Sequence, residues 1–160
     1  EQSMEVVLAG ELAPGRRMYT LYLPLYNGVD SLEVGVEEGA ALEPLDRRTE
    51  KPILFYGTSI MQGACASRPG MAITAILSRR LQMPIINLGF SGHGRMDPEI
   101  ADLMAELDPA IFVIDCLPNM NASLIGDNAM PLVRKLRQAR PDIPVLLVED
   151  RAYTNAPFFP

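Results

Sequence analysis

FYGTSIMQGACASRPGM, residues 55–71, starts inside an apolar run and breaks at Gly57-Thr58-Ser59. PILFYG (52–57) is short, continuous and apolar, as expected of a strand buried on both faces. A serine two residues past the glycine sits where the strand turns toward a helix. At such a turn a hydroxyl can point into a cleft while backbone N–H groups meet a developing negative charge. The bland alternative is that Ser59 merely caps the helix.

Working outward, the rhythm from residue 52 is strand–helix alternation. Ile73, Ile76, Leu77 and Leu81 recur at helical spacing across 70–82, and PIINLG (84–89) reads as the next strand. Asp97-Pro98 is a helix start, an N-cap followed by proline at the first helical position. Ile100, Leu103, Met104 and Leu107 continue that helix on one face. IFVIDCL (111–117) is a third strand, and Leu132, Val133, Leu136 and Ala139 mark a third helix ending before Pro141. IPVLLVED (143–150) is a fourth strand. Apolar strands alternating with amphipathic helices predict an α/β fold, a three-layer parallel sheet flanked by helices.

The earlier part reads differently. MEVVLAG (4–10), MYTLYLPL (18–25) and SLEVGV (31–36) are β-rich runs punctuated by Pro14-Gly15 and Asn27-Gly28. They predict a short N-terminal β segment, weak by itself because a small sheet buries little. Residues 37–51 read as a polar linker. The expected division is therefore 1–45, the end of a β domain plus linker, and 50–160, the α/β domain. The chain stops at TNAPFFP where a further helix is expected, so both ends read as cut.

Composition narrows the function. The 160 residues are 48% hydrophobic and 21% charged, which favours a folded core over disorder. A net charge of −6 without a Lys/Arg block argues against nucleic acid or an anionic membrane as partner. No apolar run nears the roughly 18–20 residues of a membrane span. Cys65 and Cys116 are too few for a disulfide framework and read as two buried free thiols. With one histidine, His93, no metal site is expected. Compartment and oligomeric state are not readable from these residues.

Ligands of parallel α/β sheets bind beyond the carboxyl ends of the strands. The unusual residues collect there: Gly57-Thr58-Ser59, then Gly89-Phe90-Ser91-Gly92-His93-Gly94, then Pro118-Asn119-Met120, then Glu149-Asp150-Arg151. A loop glycine N–H and the Asn119 amide are candidate donors beside Ser59. Other frames fail. G-x-S-x-G is broken at its last position around both Ser59 and Ser91. The phosphate-binding G-x-x-x-x-G-K-[ST] is broken by spacing and by Ala64, and G-x-G-x-x-G is absent after residue 57. Arg68 reads as half of a structural ion pair. Asp115 is expected to orient the Asn119 loop, Cys116 to pack in the core, and Asp150 and Arg151 to border the cleft. The nine methionines read as core filler.

Three blocks, GTSIMQGACASRPGM (57–71), NLGFSGHGRM (87–96) and DCLPNM (115–120), resemble the SGNH (GDSL-like) hydrolases, with LVRKLRQARPDIPVLLVEDRAYTNA (132–156) similar to one branch of them. The resemblance covers most of residues 52–160. More weakly, residues 18–36 resemble the end of the β-sandwich domain that precedes the hydrolase domain in that branch. It implies Ser59 as nucleophile, Gly92 and Asn119 as oxyanion donors, and ester hydrolysis through an acyl-enzyme without cofactor or metal. Acetyl esters of carbohydrate are an expected substrate class. The departure is the base: the family's D-x-x-H is absent, which is read as truncation. His93, with Asp97 four residues on, stands as a substitute base, a substrate contact or an ordinary loop residue. Two further readings stay open, a non-catalytic carbohydrate-binding or scaffold protein with this fold, and acyl transfer to an acceptor other than water.

Overall fold

The computed structural model describes residues 4–150. The α/β region is a four-stranded parallel sheet in the order β2-β1-β3-β4. The strands are β1 (Ile53–Gly57), β2 (Ile85–Gly89), β3 (Ile111–Asp115) and β4 (Val145–Leu147). Helices α1 (Ser59–Gln62), α2 (Ile73–Leu81), α3 (Pro98–Glu106) and α4 (Ala122–Ala139) connect them.

Period-two alternation along β1 sorts the core into two layers. Leu54 and Tyr56 face α3 and α4, packing with Met104, Phe112, Ile114, Leu132 and Leu136. Ile53 and Phe55 face the other way, onto Met61 of α1, Leu77 of α2 and Val113. All five residues of β1 are buried, as a central strand requires. No described helix is long and apolar enough to cross a membrane.

Several expectations are corrected. Among the described residues the N-terminal runs 4–10, 18–25 and 31–36 form no strands, and Met4, Val7 and Met18 are over three-quarters exposed. No described segment offers these runs a ladder partner, and without one an apolar run gains nothing from extension. Cys116 and Leu117, expected to end the third strand, lie beyond β3: Cys116 precedes and Leu117 opens a 3-10 turn, Leu117–Asn119, with Pro118 inside it. β4 is three residues rather than eight; it pairs only with β3, and Leu146 and Leu147 are each 50% exposed.

Helix α4 begins ten residues before the apolar positions that announced it, capped by Asn121, whose side chain accepts from Leu124 N at 3.0 Å. It carries Pro131 inside, on the exposed side. Cys65 is exposed, not buried: it lies in the turn after α1 at φ +62. Cys116 is fully buried as expected. Of the methionines, Met61, Met96 and Met104 are core, whereas Met71 and Met130 are exposed.

Candidate active site

The order β2-β1-β3 means that the chain crosses from one side of β1 to the other after β2. Such a reversal opens a crevice at the carboxyl ends of β1 and β3. The register keeps those ends level: Gly57 pairs with Gly89 on one side and with Asp115 on the other. The segments that follow, carrying Ser59, Gly92 and Asn119, therefore leave adjacent strands at one height.

Glycines allow the close approach. A Cβ on Gly94 would lie 2.0 Å from the Gly57 carbonyl oxygen, and one on Gly89 would lie 2.2 Å from the Gln62 nitrogen. Both obstacles are backbone, so neither position admits a side chain. Phe90 N donates to Gly57 O at 2.9 Å and holds the start of the loop against the end of β1. Gly92 differs: its Cβ direction is open, but φ is +74, so glycine is favoured there by conformation.

Ser59 is half-buried at the first position of α1. It is not the cap. Thr58, fully buried, fills that role by accepting from Ile60 N at 3.3 Å. Among the described residues the Ser59 hydroxyl makes no hydrogen bond, so it is left for chemistry. Its backbone carbonyl accepts from Tyr26 Oη at 3.3 Å.

Asn119 ends the 3-10 turn after β3, with its N–H donating to Cys116 O at 3.0 Å. Its side-chain Nδ2 is buried and has no hydrogen-bond partner among the described residues. An unpaired buried amide costs about 1–3 kcal/mol, so folds rarely keep one without a use.

His93 is exposed, and its N–H closes a turn onto Phe90 O at 3.1 Å. Its imidazole has no hydrogen-bond partner among the described residues. Asp97 is committed elsewhere: its carboxylate accepts from Tyr56 Oη at 2.6 Å and from Arg95 N at 3.1 Å. That explains why Asp97 begins α3 without capping it. Burial and the Asp97 contact push the Tyr56 hydroxyl's pKa well above its ordinary value. Burial pushes the Cys116 thiol up to about 12, which agrees with a core role and not a nucleophilic one.

Arg68 makes no ion pair among the described residues, contrary to expectation, because the nearby turn presents no carboxylate. It lines an open groove of about 360 Å³ with Tyr26, Asn27 and Ser67. Asp115 is buried at the end of β3. Arg151 lies outside the described residues.

The sequence set Gly57, Gly89 and Gly94 at the strand ends without saying which of them press on backbone, and it gave Gln62 no role. The glycines were visible as strand-end punctuation. Gln62 stands inside the block GTSIMQG, but its two partners, Leu25 and Ser91, are remote in sequence, so its role was not readable there.

Comparison with known proteins bears on the family and the fold. The GDSL-like lipase/acylhydrolase family model matches residues 50–159, and one for the N-terminus of SGNH-hydrolase-type esterases matches residues 1–42. A Bacteroides ovatus ATCC 8483 protein described as a GDSL-like lipase is 44% identical, with a TM-score of 0.76 over 79% of this chain. The chain covers only 37% of that relative. AlinE4, an SGNH-hydrolase family esterase, is 22% identical with a TM-score of 0.57, over 69% of this chain and 65% of its own. The salicylyl-acyltransferase SsfX3 from a tetracycline biosynthetic pathway is 21% identical with a TM-score of 0.56, over 62% and 30%. At these identities the last two share the fold and nothing more is drawn from them. No curated protein matches the chain.

Proposed function

The chain belongs to the GDSL-like lipase/acylhydrolase family, and on that premise we propose that it carries the nucleophile and oxyanion side of a serine esterase. The Ser59 hydroxyl gives its proton to a base as Oγ attacks the ester carbonyl carbon, and the carbonyl π pair moves onto oxygen. The Ser59 and Gly92 N–H groups and the Asn119 amide receive that oxyanion. Collapse re-forms the carbonyl and expels the alcohol, which takes the proton back from the base and leaves an acyl-enzyme on Ser59. Water, losing a proton to the same base, then hydrolyses the acyl-enzyme to the free acid, and the proton returns to Ser59 Oγ. The observation that carries this reading is that, among the described residues, the buried Asn119 Nδ2 has no hydrogen-bond partner, on the turn after β3, the strand paired with the one that leads into Ser59.

The base is proposed to come from the family's D-x-x-H, which these 160 residues do not contain; His93 is their only histidine. Without that base the rate is expected to fall on the order of 10⁶, by analogy with subtilisin. The substrate is proposed to be a small ester, an acetyl group on carbohydrate being the first to try, with His93 at the rim contacting it. Residues 1–45 are proposed to be the end of a preceding β domain and 50–160 the hydrolase domain.

The test is Ser59→Ala in the full-length protein, assayed on p-nitrophenyl acetate and on acetylated xylan. Loss of turnover on both supports the reading. Unchanged turnover removes Ser59 as nucleophile, and binding of acetylated sugar without turnover by the parent protein makes it a carbohydrate-binding module instead.

A further inference from the structure

The loop that carries Gly92 is held at its two ends. Gly89 N donates to Asn87 Oδ1 at 2.9 Å, Phe90 N to Gly57 O at 2.9 Å, and Gly94 seats on the Gly57 carbonyl. Its tip, residues 91–93, folds onto itself: His93 N and Gly94 N both donate to Phe90 O. Among the described residues one hydrogen bond ties the tip to the rest of the molecule. Ser91 N donates to Gln62 Oε1 at 2.9 Å.

Gln62 lies on α1, three positions after Ser59. Its other end donates from Nε2 to Leu25 O at 3.0 Å. The amide therefore has one workable orientation, since reversal would set NH₂ against N–H and oxygen against carbonyl. Leu25 is fixed in turn by its side chain against Gly63, where a Cβ would come within 2.6 Å. Tyr26, next along, holds the Ser59 carbonyl.

The geometry points to Gln62 as a positioning residue for the reaction proposed above. It sets the distance between the serine turn and the Gly92 N–H, and it is braced from behind by segment 24–26. Gln62 touches no reacting atom; it acts through Ser91, the residue before Gly92. Misplacing a group by about 1 Å can cost on the order of 10²-fold in rate. A tip released at its one outside tie is expected to lose about 10- to 100-fold in kcat.

The experiment uses the full-length protein and p-nitrophenyl acetate. Gln62→Met keeps the length and removes both bonds; Gln62→Glu keeps the acceptor for Ser91 and removes the donor to Leu25. For Gln62→Met, kcat is expected to fall about 10- to 100-fold with KM within about twofold, and phosphonylation of Ser59 by a fluorophosphonate to slow in parallel. Gln62→Glu is expected to regain most of kcat. A lowered Tm with unchanged kcat for Gln62→Met overturns the proposal, as does equal loss in both variants. Should Gln62→Met fail to fold, Gln62→Glu decides: labelling within about threefold of the parent upholds the Ser91 tie, and a larger loss refutes it. Ser59→Ala run alongside separates the two claims, because its retained activity would sink the esterase reading and not the bridge.

Discussion

Asn119→Leu tests the oxyanion assignment by moving stability and activity in opposite directions. Leucine has nearly the outline of asparagine, so the turn after β3 keeps its packing while the amide disappears. In the parent, Nδ2 is buried with no partner among the described residues, a penalty of about 1–3 kcal/mol. Because Asn119 as a whole is only half-buried, about 1 kcal/mol is the recoverable part. For a protein of this size that is a Tm rise of about 2–4 °C. The same change removes one oxyanion donor, worth about 10²–10³ in kcat. Thermal unfolding and p-nitrophenyl acetate turnover of the full-length protein read both. A Tm that falls together with a kcat loss under tenfold would refute the reasoning: Nδ2 would then be a structural anchor.

Gly94→Ala must push a methyl into the Gly57 carbonyl and is expected to cost about 3 kcal/mol, whereas Gly126→Ala in α4 meets nothing and is expected to gain about 0.5–1 kcal/mol; chemical denaturation compares them. Tyr56→Phe strips the partner from the Asp97 carboxylate and N–H and is expected to lower stability by about 1–3 kcal/mol. At pH 8 an aromatic disulfide reagent is expected to titrate Cys65 alone in a sample of this chain, and Cys116 only after unfolding. Folding holds the Cys116 thiol protonated up to about 12 against an ordinary 9.0, so above pH 9 the unfolded state binds fewer protons. Stability is therefore full below pH 9 and declines toward pH 12, with Tyr56 adding a loss of the same sign above pH 10; urea midpoints across that range check it.

The apolar runs at 52–57 and 111–117 announce strands buried on both faces, which leave no polar alternation, and 84–89 joins them as an edge strand that keeps Asn87 at its centre. The blocks around Ser59, Gly92 and Asn119 announced the family, because each lies at a strand end where a parallel sheet binds ligands. Sequence was less informative wherever burial was not shared between neighbours. The runs at 4–10, 18–25 and 31–36 have strand-like composition, yet a strand exists only with a partner to bond, and local composition does not say whether one is present. Asp97 looked like a cap and is one by position, but Tyr56, 41 residues away, takes its carboxylate. Only the tertiary structure decided which serine-turn residue caps and which is left unbonded, and that Gly94 rather than Gly92 is the glycine pressed on backbone. The pairing of Gln62 with Leu25 and Ser91 belongs to the same class. Such contacts depend on how β2 and the N-terminal segment pass α1 in space, a distance set by packing and invisible to spacing along the chain.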